Sequence, residues 1–81
     1  MKAVVVRQPG GVEVMNVETV ADPVATAADV VIQVEACGVC MHDIVVRDGT
    51  MKAGVELPCI LGHEISGTVV DVGRGVTRFK R

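Results

Sequence analysis

The sequence contains almost no aromatic residues: Phe79 stands alone among 81 residues, and there is no Trp or Tyr. Aromatic side chains normally supply much of the apolar area buried in cores, and they form the surfaces on which single-stranded nucleic acids stack. Their scarcity excludes such a stacking surface. It also predicts a core of smaller side chains, each of which contributes less to burial.

An excess of positive charge is missing as well. The chain has 8 basic and 10 acidic residues, for a net charge of −2, which excludes a basic nucleic-acid-binding domain and disfavours attraction to anionic lipid. No apolar run approaches the roughly 18 residues of a membrane span, and the apolar stretch near Met1 is too short for a signal peptide. These features predict a cytoplasmic protein without nucleic-acid or membrane partners.

Valine is what the sequence has in abundance, with 19 Val against two Leu. Because β-branched side chains favour pleated sheet, the composition predicts a mainly β fold, and the length allows one domain. The three cysteines are an odd number, and thiols stay reduced in the cytosol, so no disulfide framework is expected.

Alternation of apolar and polar residues predicts about five short strands, and a helical turn or two is predicted after the third. Residues 2–7 and 12–18, joined by the turn Gln8–Gly11, predict an N-terminal hairpin. The remaining predicted elements are a strand over 29–37, a helix over 40–47, a turn at Leu57-Pro58 leading into 59–61, a strand within 65–73, and a further element beginning at 76–81.

The residues that bind soft metals are confined to the middle of the chain. Zinc prefers thiolate and imidazole ligands in tetrahedral geometry. A closed Cys₃His site with the spacing C-x₂-C-x₁₈-C-x₃-H is one interpretation, although Cys59 lies in an apolar stretch and also suits core packing. A redox dithiol is another, but its usual βαβ context is absent. The candidates are Cys37, Cys40, His42, Cys59 and His63.

Two acidic residues accompany these ligands. Asp43 could orient a ligating histidine, since a metal-bound imidazole usually donates its other N–H to a carboxylate or carbonyl. Glu64 follows His63 directly, within a glycine-flanked segment that suits close backbone approach. His42 is a candidate third ligand, proton relay or surface residue.

These residues resemble the N-terminal catalytic domain of the zinc-dependent medium-chain alcohol dehydrogenases. The resemblance is carried by Glu35-Ala36-Cys37-Gly38-Val39-Cys40, by Asp43, and by Gly62-His63-Glu64-Ile65-Ser66-Gly67, and it extends over nearly the whole chain. It implies a GroES-like, partly open β-barrel. It also implies an oxidoreductase that interconverts alcohols and aldehydes with zinc and a nicotinamide cofactor.

The resemblance implies a role for each site residue. Cys40 and His63 correspond to ligands of the catalytic zinc, while Cys37 is not a ligand. Asp43 buttresses the histidine, and Glu64 lies close to the metal. His42 stands where the family often has the Ser or Thr that begins a proton relay, so the catalytic set is His42, Asp43 and Glu64.

The resemblance also implies that residues 1–81 form an incomplete domain. The family's third zinc ligand and its Gly-rich dinucleotide fold lie downstream of the matching region, so NAD or NADP would bind only if a nucleotide-binding domain were supplied. No dehydrogenase activity is expected of the chain alone. Two alternatives remain: a non-enzymatic β-domain that binds or assembles, for example as a homodimer through exposed sheet edges, and the structural Cys₃His domain.

Overall fold

The computed structural model describes all residues from Met1 to Arg81, and it is mainly β with one short α-helix. Five strands form two open sheets, and neither sheet closes into a barrel. This confirms the predicted fold class. The elements are β1 (Lys2–Val6), a 3₁₀ helix (Val12–Val14), β2 (Met15–Thr19), β3 (Val30–Gly38), α1 (Met41–Asp48), β4 (Cys59–Ile60) and β5 (Glu64–Val72).

The chain divides into two compact units. The first comprises Met1–Ala21 and Gly38–Glu64, and the second comprises Asp22–Cys37 and Ile65–Arg81. The first unit contains a three-stranded sheet in the order β2-β1-β4 together with α1. In the second unit, β3 and β5 pair as a two-stranded sheet.

Strand β1 is the centre of the first unit, because it pairs antiparallel with β2 on one side and with β4 on the other. The predicted N-terminal hairpin is confirmed by the pairing of β1 and β2 from Lys2↔Thr19 to Val6↔Met15. The core is small and consists of valine. Its buried apolar members are Val5, Val6, Val14 and Val46.

The predicted strand over 12–18 is partly wrong, because its first three residues form the 3₁₀ helix. The Val14 N–H donates to the Gly11 carbonyl, and the Gly11 N–H donates to the Glu13 carboxylate, each at 3.2 Å. These local hydrogen bonds satisfy the backbone without a partner strand. Alternation of Val12 and Val14 could not distinguish the two conformations.

The predicted element over 76–81 is also wrong, because these residues form neither helix nor strand. The Val76 N–H donates to the Gly73 carbonyl at 3.0 Å, which closes a turn after β5. The Arg81 guanidinium lies 3.4 Å from the Asp71 carboxylate, as an exposed ion pair. No helix in the structure has the length or the apolar character needed to cross a membrane.

The hairpin carries an ion pair that gives a pH-dependent prediction. Arg7 donates to the Glu18 carboxylate from Nε at 3.2 Å and from Nη2 at 2.7 Å. This hydrogen bonding lowers the pKa of Glu18, although partial desolvation opposes it. Stability from the pair is therefore present above the ordinary glutamate pKa, and it is lost as pH falls through the lowered folded-state pKa.

We expect an NMR titration to give a lower Glu18 pKa in the parent chain than in Arg7→Met. The comparison isolates the guanidinium, because Met keeps most of the apolar stem of Arg. Equal midpoints in the two chains would contradict the prediction.

Candidate metal centre

The N-terminus of α1 is organised by two of the predicted site residues. Cys40 occupies the N-cap position in an extended conformation, and Asp43 is the third residue of the helix. The Cys40 backbone N–H donates to Asp43 Oδ2 at 3.1 Å, which is one half of a capping box. The spacing of Cys40 and Asp43 thus places a thiol and a carboxylate together at the start of the helix.

Asp43 also joins this helix to the segment that follows β4. Its Oδ1 accepts a hydrogen bond from the Gly62 N–H at 2.9 Å and lies 2.6 Å from His63 Nδ1. The Asp43 side chain is only 6% exposed, whereas that of His63 is 43% exposed. A buried carboxylate therefore connects the two parts of the chain that carry Cys40 and His63.

The surroundings of Asp43 favour its ionised form. Burial raises its pKa, but the hydrogen bonds from the Cys40 and Gly62 N–H groups and from His63 together lower the pKa below the ordinary aspartate value. An ionised carboxylate only accepts hydrogen bonds, so the His63 nitrogen that faces it must carry the proton. In a neutral imidazole with Nδ1 protonated, Nε2 retains its lone pair.

One ligand atom from each of Cys40, Asp43 and His63 lies within 4.8 Å of the other two. This donor set fits zinc, which takes thiolate sulfur, imidazole nitrogen and carboxylate oxygen. Asp43 already accepts three hydrogen bonds, one of them from the imidazole of His63. The geometry therefore suits Cys40 and His63 as ligands and Asp43 as the residue that orients His63.

His42 lies beside His63. The two rings meet edge to face with their centroids 4.2 Å apart, and the two Nδ1 atoms are separated by 3.4 Å. His42 is exposed and does not belong to the cluster of Cys40, Asp43 and His63. The structure thus brings His42 to the cluster, while its role as a proton relay stays a prediction.

Glu64 follows His63 but does not join the cluster. Its side chain packs over the backbone of Gly38: a Cβ atom added there would come within 2.9 Å of Glu64 Oε2 and 3.3 Å of Glu64 Cβ. Because Gly38 has no side chain, the Glu64 side chain can occupy this space. The predicted catalytic role of Glu64 stays a prediction.

Neither Cys37 nor Cys59 belongs to the cluster, so the geometry gives the closed four-ligand site no support. Cys59 is half-buried in β4 and lines a cavity of about 230 Å³, together with His42 and His63. The pairing of Cys59 with Val6 in the sheet sets this position. Cys59 thus borders the same cavity as His63 although it does not belong to the cluster.

Sequence reasoning missed the backbone contribution of Gly62. Its N–H is one of the three donors to Asp43, and only a spatial contact between residues 19 positions apart creates it. The spacing of Cys40 and Asp43 is that of a capping box, in which an acidic side chain three positions after the N-cap residue indicates the start of a helix. Cysteine is not among the usual N-cap residues, so the signal was weak here.

A sequence profile described as "Alcohol dehydrogenase GroES-like domain" matches residues 26–81. An alcohol dehydrogenase of Geobacillus stearothermophilus is 38% identical over 80 residues, which cover 99% of this chain and 23% of that protein. A quinone oxidoreductase of Lama guanicoe is 37% identical over 82 residues, covering 100% of this chain and 25% of the relative. The chain thus spans about a quarter of the length of these relatives.

A solved structure agrees with these sequence matches. The crystal structure of AibC superposes with a TM-score of 0.93 at 40% sequence identity, and the match covers 99% of this chain and 22% of that one. The chain therefore has the same fold as the matching part of AibC over nearly its whole length.

Proposed function

The chain belongs to the alcohol dehydrogenase GroES-like domain family, and on that basis we propose that it supplies the catalytic metal ligands of an NAD(P)-dependent oxidoreductase acting on small alcohols and aldehydes. The observation that carries the proposal is the cluster of Cys40, Asp43 and His63. Zinc is the metal that this donor set favours. In this proposal Cys40 and His63 would bind the ion, and the hydrogen bond from His63 Nδ1 to Asp43 would leave the Nε2 lone pair available to bind it.

The number of ligands supports a catalytic centre more than a structural one. A structural zinc site is closed by four protein ligands, whereas a catalytic site keeps a position open. Two ligands from this chain leave room for a further protein ligand and for substrate. When bound, zinc would act as a Lewis acid that polarises the oxygen of an alcohol or carbonyl group.

The residues around the cluster have separate tasks in the proposed reaction. Asp43 keeps the His63 imidazole in one tautomer and one orientation. His42 is exposed beside His63 and lines the adjoining cavity, so it is placed to exchange protons between that cavity and solvent. Glu64 stays against Gly38, near His63 but outside the cluster.

A nicotinamide site is proposed outside residues 1–81. No G-x-G-x-x-G segment follows a strand in this sequence, and such a segment is the usual fingerprint of dinucleotide binding. We therefore expect the isolated chain to bind metal without catalysing NAD(P)-linked turnover. Turnover by the purified 81-residue chain would contradict the proposal that the metal ligands lie within residues 1–81 and the nicotinamide site outside them.

The proposal is tested by titrating the reduced chain with Co²⁺, which replaces zinc and reports its ligands through its absorption spectrum. We expect saturation at about one ion per chain with a thiolate-to-metal charge-transfer band, since both ligand types are those of a zinc centre. Cys37→Ala should leave the band unchanged, because Cys37 is outside the cluster. A chain that binds no metal, or a band that disappears in Cys37→Ala, would refute the proposed centre.

A further inference from the structure

Strand β1 determines where His63 lies. It pairs with β4 at Val6↔Cys59 and Val5↔Ile60, and the Leu61 N–H then donates to the Val4 carbonyl at 3.2 Å. Leu61 is two residues before His63, so little chain separates the last of these hydrogen bonds from the metal-binding imidazole. The position of His63 is therefore tied to β1 through the sheet.

The turn that follows β1 is hydrogen-bonded to the C-terminal end of α1. The Gly10 N–H donates to the Arg47 carbonyl at 3.0 Å, and Arg47 Nε donates back to the Gly10 carbonyl at 3.2 Å. Pro9 packs against Gly49, where an added Cβ would come within 2.9 Å of the proline ring. Gly49 ends the helix in the left-handed conformation, with φ of 86°, which a glycine adopts without strain.

Together these contacts form a closed set of connections, called the frame below, around the cluster of Cys40, Asp43 and His63. β1 connects to the His63 segment through β4, and it connects to α1 through the pair of hydrogen bonds between Gly10 and Arg47. Asp43, at the opposite end of α1, completes the frame through its hydrogen bonds with Gly62 and His63. The helix has eight residues, which is about 12 Å, so a rigid rotation of one end must displace the other.

Arg47 is the only side chain that donates to the turn from the helix in this frame. Arg47 is half-buried, and its guanidinium donates to a backbone carbonyl, whereas many arginines donate to an acidic side chain. Its positive charge in the last turn also suits the negative end of the helix dipole. A hydrogen bond from a charged donor to a neutral carbonyl is stronger than one between neutral groups.

We propose that Arg47 is a positioning residue for the metal centre: by bonding the Gly10 carbonyl it fixes the orientation of α1, and hence of Cys40 and Asp43 relative to His63. The importance of this role rests on the proposed function. The geometric part does not, because the hydrogen bonds between Gly10 and Arg47 involve none of the proposed metal ligands and are tested first in the metal-free chain.

The test is amide hydrogen exchange at Cys40 and Gly62, whose N–H groups both donate to Asp43. In metal-free Arg47→Met we expect both amides to exchange about 10-fold faster, the loss that follows from one charge-assisted hydrogen bond. The amides of the β1–β2 ladder serve as the internal reference and should be unchanged. Arg7→Met is the matched control, since Arg7 adjoins the same turn but bonds only Glu18.

Two results would overturn the proposal. One is unchanged exchange at Cys40 and Gly62 while the Gly10 amide becomes faster, because the contact would then break without reaching the cluster. The other is equal acceleration at every amide, because Arg47 would then support only global stability. Arg47→Lys keeps a charged donor, so we expect it to restore most of the protection. If Arg47→Met does not fold, Arg47→Gln replaces it, because Gln is polar but lacks the charged donor.

A second measurement concerns the metal. Where the parent binds Co²⁺, Arg47→Met should bind it about 10-fold more weakly and with altered ligand-field bands, because Cys40 and His63 are still present but misaligned. Unchanged affinity and bands would overturn the positioning role at the metal. Failure of the parent to bind Co²⁺ would refute the proposed function, while the exchange experiment would still decide the frame.

Discussion

Replacing Cys40 with serine is expected to weaken Co²⁺ binding on the order of 100-fold and to abolish the thiolate charge-transfer band. Binding free energies of four-ligand zinc sites, about 10–16 kcal/mol, correspond to roughly 3 kcal/mol per ligand. A serine hydroxyl is a hard, neutral donor that zinc and cobalt bind poorly compared with a thiolate. Cys40 caps α1 through its backbone, so the helix should survive the change.

The matched control for Cys40→Ser is Cys59→Ser. Cys59 is also half-buried and lies in the same unit, but it is outside the cluster. Its substitution should leave both the affinity and the charge-transfer band intact. If Cys59→Ser removed the band and Cys40→Ser did not, the ligand assignment derived from the geometry would be wrong.

Asp43→Asn is expected to weaken Co²⁺ binding by about 10–100-fold, although Asp43 itself is not assigned as a ligand. Asn has nearly the same shape, but one carboxylate oxygen becomes an NH₂ group. In either orientation this NH₂ faces a donor: the Cys40 N–H, or the Gly62 N–H and His63 Nδ1. The site is buried, so the mismatched hydrogen bonds should also lower the free energy of unfolding by about 1–3 kcal/mol.

Both effects of Asp43→Asn are measurable, by Co²⁺ titration and by urea unfolding of the metal-free chain. Asp48→Asn is the control on the same helix, because the Asp48 side chain is exposed and accepts hydrogen bonds only from the nearby Thr50. We expect Asp48→Asn to leave the Co²⁺ affinity unchanged. Equal losses in the two variants would show that Asp43 acts through helix stability and not by orienting His63.

The local part of the fold was predictable because its signals lie in short stretches of sequence. The valine-rich segments before and after Gln8–Gly11 indicated the hairpin, and a helix was predicted over 40–47 where α1 forms. The errors arose where local and long-range hydrogen bonding compete. Val12–Val14 alternates like a strand. The Val14 N–H is nevertheless hydrogen-bonded to the nearby Gly11 carbonyl, within a 3₁₀ helix, and not to a partner strand.

The candidate site was predictable to a different degree for each residue. Cys40 and His63 were identified as residue types that suit zinc, and Asp43 as a carboxylate that could orient a histidine. The structure places the ligand atoms of the three residues together. Cys59 has the same chemistry and an equally plausible spacing, but its pairing with Val6 places it in the sheet. Residue type therefore indicated which side chains were able to bind a metal, and strand pairing decided which of them meet.

The sequence by itself determined the β-rich composition, the short helix after Cys40 and the set of potential ligands, because each depends on residues that are neighbours in the chain. Only the tertiary structure decided that Asp43 receives hydrogen bonds from Gly62 and His63, and that Arg47 reaches across 37 positions to Gly10. The physical reason is that β1 pairs on both sides. Pairing with β4 brings distant residues to one end of α1, and the turn after β1 holds the other end.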